Sequence, residues 1–70
     1  MKVKNVIKGC LSLWQINELH ILSDEKVLFS GSVDKFDTVD PDMIQFKHQL
    51  ENMEVSKKMV FHNELFVFVK

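Results

Sequence analysis

The run Leu65-Phe66-Val67-Phe68-Val69 constrains the fold more than any other stretch. Successive side chains of a strand point to opposite faces. A strand backed by solvent therefore alternates apolar with polar residues. This run is apolar at every position, so both of its faces are expected to meet a cover. The chain has 70 residues, and a chain of that size buries only about 60% of the surface its unfolded form exposes. It is expected to be a single small globular domain over residues 1–70, with another molecule as one of the two covers.

The rest of the chain supplies the partners of that strand. Val3, Val6, Ile7, Cys10, Leu11 and Trp14 recur at the spacing of one helical face, which predicts a helix from about Val3 to Cys10; the rival reading is a strand, since Met1, Val3 and Ile7 also alternate with lysines. Gly9 weakens this helix or helps to end it. Gln15–Leu22 and Val27–Val33 alternate around the polar Ser23-Asp24-Glu25-Lys26 and predict a β-hairpin. Gly31 sits where a core side chain is expected, suggesting a bulge or the close approach of a helix. Asp34–Asp42 reads as a loop. Asp40 as N-cap and Pro41 as first residue then predict a helix from Pro41 to Asn52. Lys57–Phe61 and Leu65–Val69 predict a second hairpin around His62-Asn63-Glu64, where Asn63 tolerates a left-handed conformation.

The expected fold class is α+β, in the order α-β-β-α-β-β. Its four-stranded antiparallel sheet would carry two helices on one face. The expected core is Val6, Ile7, Leu19, Ile21, Val27, Phe29, Phe46, Leu50, Met59, Leu65 and Val67. Alternation then sends Leu22, Leu28, Val60, Phe66 and Phe68 to the other face, with His20, Ser30 and Ser32 at its edge. These five residues are the candidate interface, and a two-fold homodimer is the commonest way to cover such a face.

Composition narrows the function classes. The formal net charge is -1, and all nine basic residues are lysines. Without arginine forks for phosphate and base edges, nucleic acid is disfavoured as a partner. A single cysteine, Cys10, excludes an internal disulfide and a Cys-rich metal site. The lysine-bearing start has no continuous apolar stretch and does not read as a secretory signal. No apolar run approaches the roughly 20 residues that span a bilayer. The expected setting is the cytoplasm, with no membrane partner.

No motif declares a chemistry. His20, His48 and His62 match no zinc-ligand spacing, and packed or surface histidines are the simpler reading. Asp34, Asp37, Asp40 and Asp42 lack the glycine and terminal glutamate of a calcium loop; turn formation and helix capping account for them. No serine lies in a nucleophile elbow, and two distant glycines make no phosphate loop. Trp14 and the six phenylalanines lack the basic groove of a base-stacking platform. No catalytic residue, metal or cofactor is expected, and the chain reads as a non-enzyme.

Val3-Lys4-Asn5-Val6-Ile7-Lys8, the hairpin segment Val27-Leu28-Phe29-Ser30-Gly31, and Glu54-Val55 followed by Leu65–Val69 carry a resemblance. The chain resembles small uncharacterised phage and prophage proteins of low-GC Gram-positive bacteria. The resemblance implies stoichiometric binding to a host protein in the host cytoplasm, inhibitors of host defence systems included. The other reading is a self-associating structural or assembly subunit of a phage.

Overall fold

The structure, a computed structural model, describes residues 1–24, 26–36 and 41–70, the last range without the side chains of 41–43. Its elements are α1 (Val3–Leu13), β1 (Glu18–Leu22), β2 (Val27–Ser32), α2 (Val33–Phe36), α3 (Pro41–Glu51), β3 (Val55–Phe61) and β4 (Glu64–Val69). The fold is α+β with one four-stranded sheet in the order β2-β1-β4-β3. The two hairpins are antiparallel, but β1 and β4 join them in parallel. The sheet is therefore mixed, not antiparallel throughout as expected from the sequence.

One backbone contact extends the parallel seam, and a second continues the β1–β2 ladder at the same residue. The backbone N–H of Asn17, just before β1, donates to the carbonyl of Asn63 in the β3–β4 turn at 2.8 Å. The Val33 N–H, opening α2, donates back to the Asn17 carbonyl at 3.1 Å. The start of β1 is thus tied to the start of β4, and the strands run on together. Two apolar strands occupy the middle of the sheet, while β3, with Lys57 and Lys58, lies at an edge where charge discourages further pairing.

Parallel register stacks Leu19 beside Leu65 and Ile21 beside Val67. All four are fully buried. Val3, Val6, Ile7 and Cys10 of α1, Leu50 of α3 and Phe36 of α2 complete the same cluster. The helices therefore cover one face, and α2 is an addition to the expected element order. It replaces the start of the expected Asp34–Asp42 loop, because the Ser32 hydroxyl accepts from the Lys35 N–H at 3.1 Å and starts a turn of helix. The rest of that loop, with the expected Asp40 cap, lies outside the described residues, as does the Asp42 side chain.

Several expected core residues are displaced. Val27, Phe46 and Met59 are exposed, whereas Val3, Cys10, Ile16, Phe36 and Val69 are buried in their stead. The register explains Val27 and Met59: they pair with Leu22 and Phe66, on the face opposite the helices. Helix α1 runs on to Leu13, past its expected end at Cys10, and its tail turns outward, leaving Leu11, Leu13 and Trp14 exposed. In the first hairpin the register shifts at Ile21/Leu22, not at Gly31. A Cβ on Gly31 would meet the Phe29 ring at 3.6 Å and the Lys35 side chain at 3.7 Å, ordinary contacts with side chains and not with a helix backbone. His62 and Asn63 both take positive φ, 51° and 64°, as a two-residue hairpin turn with the twist of its strands demands.

Two measurements check this packing. Leu65→Ala is expected to cost about 2–5 kcal/mol in urea unfolding. Met59→Ala should stay within about 0.5 kcal/mol; comparable losses would contradict the observed face assignment. Gly9 lies in the interior of α1 with open space where its Cβ would be. Gly9→Ala should therefore stabilise the chain by about 0.5–1 kcal/mol.

Candidate functional site

The face opposite the helices is built by alternate residues of all four strands. Two residues expected there lie on the helix side, Leu28 through the bulge and Val60 through its register. Leu28 is left unpaired between Phe29 and Val27, and it packs against the buried cluster. Val60 pairs with the buried Leu65 and also packs against the cluster. Neither belongs to the open face. Leu22, Phe66 and Phe68 do: Leu22 lies beside Phe68 across the parallel seam, and all three are half-buried. Register adds Val27, Met59 and Phe61, which are 57%, 44% and 59% exposed. Sequence alternation missed these three because each had been assigned to a strand without its register.

The open face is graded from one end to the other. At one end Leu22, Val27 and Phe68 lie together, and the Lys57 ammonium sits 5.9 Å from the Phe68 ring centroid. At the other end Glu18 and Glu64 are register partners on the parallel seam. Like charges placed side by side across strands repel. His20, one step along β1, lies close to both. Its Nε2 is 2.7 Å from Glu64 Oε1 and 3.7 Å from Glu18 Oε2. Its Nδ1 is 2.7 Å from Ser30 Oγ on the neighbouring strand. The ring stacks on Phe66 at 4.7 Å between centroids and 17° between planes. Four residues on three strands thus fix the imidazole, and its side chain is only 16% exposed.

The Glu64 carboxyl is held below the usual carboxylate range. The hydrogen bond with His20 is the main cause, followed by a hydrogen bond shared with Glu18, while burial opposes it; the charges of His20 and His62 lower it further. Neither of the other histidines makes a hydrogen bond or ring contact with His20, although the charge of His62 reaches Glu64. His48 is exposed on α3 near Glu51, and His62 occupies the β3–β4 turn. Spacing of histidines along the chain could not find the His20 cluster. The available signal was Glu18-x-His20, two residues that a strand puts on one face.

Shallow depressions lie elsewhere, one lined by Ser23, Asp24, Lys26 and Lys70, another between α1 and Phe36. Among the described residues, no helix is long and apolar enough to cross a membrane. Comparison with protein families, curated proteins and solved structures finds no match to this chain.

The Glu64 arrangement sets a direction for acid stability. A carboxyl whose folded value is depressed adds stability that is present above its unfolded value, about 4.3. That stability is lost as pH falls through the lower folded value. Glu64→Gln should therefore lessen the loss of thermal stability between neutral pH and the acid range. Glu54, also lowered by hydrogen bonds to the N-terminal amino group and Lys2, should leave part of the acid response in place. Identical pH profiles for the two proteins would contradict the reading of Glu64.

Proposed function

We propose that this chain is a small non-catalytic binding module that acts stoichiometrically and docks a protein partner through the open face of its sheet. The observation carrying this reading is the half of the sheet opposite the helices, where Val27, Met59 and Phe61 are exposed beside half-buried Leu22, Phe66 and Phe68. Aromatic and methionine side chains are the types enriched at the centres of protein interfaces. An open, gently graded face suits a broad protein surface better than a small substrate, which is held in a concave pocket. The likeness to phage and prophage proteins makes a host protein, defence components among them, the partner we propose.

A second reading is self-association, and the grading of the face favours it. Lys57 lies at one end and Glu18 with Glu64 at the other. A two-fold axis through the face would lay the basic corner of one copy near the acidic end of the next. The apolar residues between them would then be covered on both copies.

Phe66→Ser with Phe68→Ser separates these readings. At micromolar concentration a self-associating wild type sediments as a dimer, and the double variant as a monomer. A wild type that remains monomeric throughout rules out self-association at that concentration. Immobilised wild type should retain a host protein from lysate that a folded double variant does not. Equal retention by both, or retention of phage components alone, would sink the host-target reading.

A further inference from the structure

We propose that Glu18, His20 and Glu64 form a binding site for one divalent transition-metal ion of the zinc, cobalt or nickel class on the open face of the sheet. One donor atom from each residue lies within 4.8 Å of the other two. The three come from two strands, and the parallel register alone brings them together.

The argument is one of unequal satisfaction. His20 Nε2 has a single position for a proton, which Glu64 Oε1 occupies at 2.7 Å. Glu18 Oε2 is left at 3.7 Å from the same nitrogen, beyond an ordinary hydrogen bond. Two neighbouring carboxylates thus face a single ring nitrogen. A dication in place of that proton meets both carboxylates and the imidazole lone pair at once. Such ions hold nitrogen and carboxylate oxygen at about 2.0–2.2 Å. His20 and Glu64 are already close enough to share an ion, and Glu18, half exposed, has the rotamer freedom to close the remaining gap.

The surroundings suit a metal-bound imidazole. With Nε2 on the ion, Nδ1 carries the proton and donates to Ser30 Oγ, 2.7 Å away. A ligating histidine usually donates its other N–H in this way, which fixes the tautomer and ring orientation. Stacking on Phe66 holds the ring plane. The imidazole selects against magnesium and calcium, which prefer oxygen donors alone. Three ligands on an open face leave the ion's remaining positions directed outward, to water or to a donor from a docked partner. The site does not depend on which partner covers the face.

Titration calorimetry with zinc chloride tests this, with cobalt chloride absorption as a second readout. The wild type should bind one ion per chain. Cobalt should give visible bands of low coordination number. Glu18→Gln, at a half-exposed position that should not disturb folding, should weaken binding roughly tenfold or more, and His20→Asn should abolish it. Ser30→Ala should weaken it about 10–100-fold, as loss of an orienting hydrogen bond does. Replacement of His48, exposed on α3 beside Glu51, by Asn should change nothing. Unchanged affinity in folded Glu18→Gln and His20→Asn, or an absence of binding by wild type at millimolar zinc, would overturn the proposal.

Discussion

Five register pairs, from Glu18 beside Glu64 to Leu22 beside Phe68, join β1 to β4 in parallel, and most of the structure depends on them. On one face they stack Leu19, Leu65, Ile21 and Val67, the fully buried centre of the core. On the other they bring together two carboxylates, an imidazole and two phenylalanines. One backbone register therefore sets both the stability of the domain and the character of its open face. A slip by one residue would exchange the two sets. The Asn17–Asn63 backbone hydrogen bond, at the point where both strands begin, guards against that slip.

Size adds a second constraint. A chain of 70 residues has about 4–10 kcal/mol of net stability at typical values per residue. Its helices are short enough to cover only one side of the sheet. The doubly apolar character of β4 is thus a conflict within the monomer. Half-burial of Phe66 and Phe68 is the partial solution: His20 stacks on one ring, and Lys57 lies over the other. Polar side chains with flat or extended apolar parts shield the aromatic row while leaving part of it accessible. Residual exposure of this kind is what a docking face requires.

All the elements except the four-residue α2 were legible in the sequence, because each depends on local periodicity. The spacing of Val3, Val6, Ile7 and Cys10 marks α1, and the alternation through Leu19 and Ile21 marks β1. Strand direction was not legible, because alternation reads the same from either end. The parallel seam is a long-range pairing of residues 18–22 with 64–68 that leaves no mark in the local pattern. Leu28 and Val60 were assigned to the wrong face for related reasons. The bulge shifts Leu28 by one position, and the pairing of Val60 with Leu65 is a matter of register. The site follows the same rule: Leu22, Phe66 and Phe68 were visible from alternation, while the meeting of Glu64 with Glu18 and His20 required the long-range pairing.

The most direct test of this account is the direction of the β1–β4 pairing, read from nuclear Overhauser contacts in a labelled sample. Parallel pairing predicts amide-to-Hα contacts between residues 18–22 and 64–68, in the register that puts Ile21 beside Val67. It predicts no short Hα–Hα contacts between these two strands, in contrast to the β1–β2 and β3–β4 pairs. Short Hα–Hα contacts between β1 and β4 would mean an antiparallel seam. They would contradict both the core packing and the grouping of Glu18, His20 and Glu64.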